Sequence, residues 1–198
     1  ETGDVWLSGF TTRYIGRFNV RATTPTVQLA RFVPAINSKP YQALAGATVG
    51  NGYAWFAPLR HSALIRADRN HVVASYSDIP HSESTGEHVP YYAVAVFDGH
   101  FVWLFPRSNS QRVVSVDTHT VAFRAIQLTS LRRSLETISA TYVDPGYIYI
   151  APSATGLRFV RFDTVTLRAV ELLDWPSDLD VSHSYFFRIC GYDGRYVW

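Results

Sequence analysis

Read by hydrophobicity alone, the chain is a succession of short apolar runs cut by turn residues. Tyr91–Phe97 is followed by Asp98-Gly99, His100–Phe105, a Pro-containing loop, Arg112–Val116, Asp117-Thr118-His119-Thr120 and Val121–Leu128. Asp-Gly and Asp-Thr supply turn chemistry, so this stretch predicts four antiparallel strands joined by short connections. The next stretch repeats the order through Ile138–Val143, Pro145-Gly146, Tyr147–Ile150, Leu157–Phe162, Asp163-Thr164-Val165-Thr166 and Leu167–Leu173. No stretch carries a sustained helical period, although Leu131–Ile138 has room for one turn.

Aromatic strands recur along the whole chain. The central residues Trp6, Trp55, Trp103, Tyr149 and Trp198 are spaced 49, 48, 46 and 49 apart. A polar marker keeps the same beat: Asn19, Asp68, Asp117 and Asp163, spaced 49, 49 and 46. Pro58, Pro106 and Pro152 each fall three residues after their aromatic, with Gly9 at the corresponding place in the first unit. Two markers in phase over four units are the signature of a repeat architecture.

Four-stranded repeats of this length read as the blades of an all-β propeller. Val113–Thr120 and Phe159–Thr166 resemble the third-strand motif of YVTN-type and related kelch- or NHL-like propellers, as Phe97–Trp103 and Tyr192–Trp198 resemble their first hairpin. Kelch's double glycine and the WD dipeptide are missing. The resemblance covers nearly the whole chain and implies a fold superfamily. It predicts one domain over residues 4–198, with repeats starting near 4, 53, 101 and 147 and a partial strand at 195–198. In this phase the chain starts on the second strand of a blade. Tyr185–Tyr192 would supply the missing first strand, yet Tyr196-Val197-Trp198 duplicates Val5-Trp6-Leu7. Two arrangements follow: a closed four-bladed ring, or part of a larger propeller whose remainder is a missing segment, another chain or a symmetry mate, the last two making a hetero- or homo-oligomer.

Composition narrows the class. Of 198 residues, 47% are hydrophobic and only 17% charged, enough apolar surface to offset the entropy of ordering. A net charge of +2 is too small for a general nucleic-acid binder. The apolar runs are strand-sized, too short for a membrane-spanning helix. Cys190 is the lone cysteine, so no intrachain disulfide or CxxC pair forms. Glu1-Thr2-Gly3 looks like the remnant of a mammalian secretion vector, which points to a secreted or extracellular setting.

Candidate chemistry lies where loops depart from the repeat, because the scaffold does not need those side chains. The longest departure, Ser77–Pro90, carries His81, Glu83, Glu87 and His88, and Tyr91 borders it. Their spacing matches no known metal site, and a solvated polar loop explains them equally well. Arg107, the basic pair Arg132-Arg133, and Trp175 with Asp178 and Asp180 are further departures. An aromatic beside arginine is the composition of an interface anchor. Arg17, Arg66 and Arg161 recur on one strand face, either as a ring of cations or as partners of the blade aromatics. The turns beginning at Asp117 and Asp163 read as side-chain-capped. No cofactor is implied and no catalytic constellation is assembled. The sequence therefore predicts a non-catalytic module that binds a protein partner, with a glycan as the weaker ligand. A metal-dependent propeller hydrolase or lyase and a purely architectural part of a multi-chain propeller are the alternatives.

Overall fold

The computed structural model describes residues 3–7, 14–24, 26–31, 44–59, 63–70, 73–80, 92–107, 110–132, 135, 137–143, 145–152, 159–172 and 191–198. Among them are fifteen strands and no helix. The first sheet holds β1 (Asp4–Leu7), β2 (Tyr14–Asn19) and β3 (Gln28–Arg31). The second holds β4 (Leu44–Gly50), β5 (Tyr53–Pro58), β6 (Leu64–Ala67) and β7 (Val73–Tyr76). The third is β8 (Tyr92–Phe97), β9 (Phe101–Pro106), β10 (Arg112–Asp117) and β11 (Phe123–Gln127). The fourth is β12 (Thr137–Val143), β13 (Tyr147–Pro152), β14 (Phe159–Asp163) and β15 (Ala169–Leu172). Strands pair antiparallel in chain order within every sheet.

Register confirms the phase of the repeat. Trp6 pairs with Arg17, Trp55 with Arg66 and Tyr149 with Arg161, so β1 occupies the second-strand position of its sheet. Each polar marker caps a turn. Asp117 Oδ1 accepts the amides of His119 and Thr120 at 2.8 and 2.9 Å, and Asp163 Oδ1 those of Val165 and Thr166 at 2.9 and 2.8 Å. The two Asp-Gly hairpins are equally alike. Asp98 and Asp193 each accept two turn amides and an indole N–H, from Trp103 at 2.6 Å and Trp198 at 2.8 Å.

Two sequence expectations need correction. Val121 and Leu167 read as strand starts, yet they close their turns at φ 60° and 58°, donating to the carbonyls of Asp117 and Asp163 at 2.8 and 2.9 Å. The outer strands begin two residues later, at Phe123 and Ala169. Leu131–Ile138 forms no helical turn among the described residues. Leu135 instead bridges Ser110 and strand resumes at Thr137, because Leu131 and Leu135 are drawn into the core between sheets.

The sheets pack face to face in chain order. Trp6 meets Phe56 edge-on at 6.2 Å. Trp55 is buried among Tyr92, Ala95, Val102 and Leu104, and Trp103 contacts Phe162 at 5.0 Å. The recurring aromatics are thus the packing between neighbouring sheets. The first strands come closest, β4 lying against β8 and β8 against β12. At Gly46 the backbones nearly touch: a Cβ there would sit 2.9 Å from Ala93 O and Val94 Cα. Gly46→Ala is expected to cost ~1–3 kcal/mol, the usual range for overpacking. Gly16→Ala, whose Cβ would meet only side chains at 3.4 Å, should be close to neutral. Urea unfolding of both variants checks this, and equal midpoints would refute backbone contact as the constraint.

Candidate functional site

The sheets have two ends. At one, the first strand enters, the second leaves, and the long connections cross between sheets. The entry is built alike three times: Leu44 pairs with Pro58, Tyr92 with Pro106 and Thr137 with Pro152, each followed by a register shift. Such bulges re-aim side chains and favour functional rims. Leu44 and Tyr92 are fully buried, and Leu59, which follows Pro58, is buried as well. The third and fourth sheets break this apolar pattern. Arg107 stands in the place of Leu59, and Thr137 in the place of Leu44 and Tyr92. Arg107 Nη1 and Thr137 Oγ1 are both buried with no hydrogen-bond partner among the described residues.

The two belong to one junction. Ser110, just after Arg107, and Leu135, just before Thr137, exchange backbone hydrogen bonds at 3.3 and 2.8 Å. Gln111 Nε2 donates to Leu131 O at 3.0 Å, and the Arg132 amide to Glu171 Oε1 at 3.1 Å, leaving the Arg132 side chain exposed. Ser130 Oγ donates to Ala169 O at 2.8 Å. The neighbouring entry is anchored too. Ile79 is in the core, and the Tyr92 hydroxyl donates to Pro80 O at 2.6 Å. Burial raises the Tyr92 phenol far above its ordinary range, with the nearby Arg112 acting weakly the other way. Tyr92 is therefore a neutral donor.

Of the residues that the sequence singles out, Arg107 and Arg132 fall on this junction. His81, Glu83, Glu87, His88, Tyr91, Arg133, Trp175, Asp178 and Asp180 lie outside the described residues. The arginine series is not a ring of free cations. Arg66 lies over the Tyr53 ring at 4.2 Å and Arg161 over Tyr147 at 4.9 Å, while Arg17 donates to Arg69 O and Gln28 Oε1, both at 2.7 Å.

The opposite end carries the short turns. There His100, Asp117 and His119 converge, with one donor atom from each within 4.8 Å of the others. Sequence reading missed this group, since strand pairing alone brings the two turns together. A histidine in each of two successive turns was the available signal. The backbone amides of Thr120 and His119 hold the Asp117 carboxyl at about 2.

No protein-family model and no curated protein matches the chain. Solved structures do. A streptogramin B lyase structure superposes with a TM-score of 0.70 at 18% identity, over 96% of this chain and 56% of that one. Virginiamycin B lyase from Staphylococcus aureus gives 0.64 at 15%, over 85% and 51%. A chain of a nidogen/laminin complex gives 0.57 at 11%, over 86% and 60%. The fold is a β-propeller. The sheets are its blades, and the chain spans little more than half the length of these propellers. At such identities the likeness establishes architecture alone.

The capped turns give the propeller a defined acid response. The Asp163 carboxyl is lowered first by the Thr166 amide, and those of Asp117 and Asp193 by their turn amides. A carboxyl lowered on folding adds stability in full above its unfolded value of ~3.9, and loses it as pH falls through the folded value. Asp163→Ala should therefore lower Tm at pH 7, and the gap to the parent chain should narrow between pH 4 and pH 2. A gap independent of pH would show that the ionised cap contributes nothing.

Proposed function

We propose that this propeller is a non-catalytic recognition module that binds a protein partner through its loop-bearing face. One observation carries the reading. At the junction of the third and fourth blades, Arg107 stands where the second blade has the buried Leu59, and Thr137 where the second and third have Leu44 and Tyr92, each with a buried polar atom lacking a partner among the described residues. Such groups cost stability unless an acceptor arrives, so a scaffold has no use for them there. A guanidinium N–H needs an acceptor, which a carboxylate or main-chain carbonyl of a bound protein supplies. The exposed Arg132 borders the junction, and the aromatic and acidic loop around Trp175 extends the face in the sequence reading. The structure from a nidogen/laminin complex adds that a propeller of this architecture occurs in a protein–protein assembly.

A metal-dependent lyase is the second reading, motivated by the two lyase structures of the same architecture. It needs histidines or carboxylates on the loop-bearing face, for which His81, Glu83, Glu87 and His88 are the candidates. Divalent-ion-dependent turnover lost on His81→Ala or His88→Ala would favour it.

The recognition reading is tested with Arg107→Met on a partner retrieved from a display library of extracellular domains. Binding should fall about tenfold or more, as for an interface anchor, while Tm holds or rises because the buried Nη1 has no hydrogen-bond partner to lose among the described residues. Unchanged binding with a lower Tm would make Arg107 a structural residue and overturn the assignment.

A further inference from the structure

The turn-bearing end of the third blade holds a second group, independent of the recognition face. His100 lies in the Asp98–Phe101 turn, and Asp117 and His119 lie in the turn joining β10 to β11. Pairing of Asp117 with Phe101 places the turns side by side. His100 Nε2 is 3.3 Å from Asp117 Oδ2. The two imidazoles stack at 5.4 Å with planes 29° apart. The side chains face solvent, that of His100 being 55% exposed and that of Asp117 23%.

The backbone beneath them is fixed without any ligand. Asp98 Oδ1 accepts the His100 and Phe101 amides at 2.9 and 2.7 Å, and the Thr118 hydroxyl donates to His100 O at 2.7 Å. Asp117 spends Oδ1 on its turn amides, which leaves Oδ2 toward the imidazole. The same frames elsewhere carry other residues. The Asp163 turn has Val165 where His119 stands, and the Asp193 turn has Arg195 where His100 stands. Neither frame requires a histidine, yet both have one where the two turns meet.

We propose that His100, Asp117 and His119 form a binding site for a divalent transition-metal ion. Two imidazoles and one carboxylate are a borderline donor set that suits Zn²⁺, Ni²⁺ or Cu²⁺ rather than Mg²⁺ or Ca²⁺. Ligand bonds of ~2.0–2.2 Å place neighbouring donors roughly 3–3.5 Å apart. His100 and Asp117 already stand at that spacing, so only the exposed His119 has to swing inward. Three protein ligands leave coordination positions for water or for a side chain of another molecule. A bare His100–Asp117 ion pair with a stacked histidine is the competing account, and it predicts no metal affinity.

Cu²⁺ titrated into the ¹⁵N-labelled chain at equimolar ratio should broaden amides in residues 98–102 and 117–121 first. Zn²⁺ should raise Tm by mass action on the folded state. That rise should vanish in His100→Gln and in His119→Gln, each with an unchanged metal-free Tm. Asp117→Asn keeps a capping oxygen and should lose the rise as well, which covers a histidine variant that fails to fold. Broadening centred elsewhere, or a Zn²⁺ shift retained in either histidine variant, overturns the site.

Discussion

The close approach of the first strands governs this molecule. Where β4 lies on β8, Gly46 leaves no room for a Cβ against the backbone of Ala93 and Val94. Such contact excludes a side chain at Gly46, and small buried residues, Ala93 and Ala95, flank the facing backbone. Twisted sheets diverge from that line, and the widening space is filled by the second-strand aromatics Trp6, Trp55 and Trp103 against the following blade. The gradient from glycine to tryptophan is the wedge shape of a blade written in side-chain volume.

That wedge explains why the architecture was legible in the sequence. Each aromatic and each capping Asp answers a demand that every blade makes, so both recur at the blade interval. Strand edges were less legible. Val121 and Leu167 look like strand residues, but their turns need a left-handed residue to close, and position overrides β-propensity. The arginine series read ambiguously as cations until its register showed each guanidinium on an aromatic or a backbone carbonyl.

The site was legible only in part, for a related reason. A repeat exposes its exceptions: Arg107 and the basic pair beginning at Arg132 stood out as departures. Their surroundings did not. That Thr137 joins Arg107 at one junction depends on Ser110 pairing with Leu135, which no short-range pattern encodes. The His100, Asp117 and His119 group was hidden more completely, because each turn is explained by its own cap. The scaffold uses one Asp117 carboxylate oxygen to cap the turn and turns the other toward His100. Both proposed sites fall on exceptions of the repeat, at opposite ends of the third blade.

The central claim is that the loop-bearing face is the one that meets a protein partner. Hydrogen exchange of the whole chain, free and partner-bound, tests it most directly. Protection should appear in peptides covering 106–112 and 128–137, with the turns at 98–101 and 117–120 exchanging as before. Protection confined to those turns, with the Arg107 junction unchanged, would contradict the account.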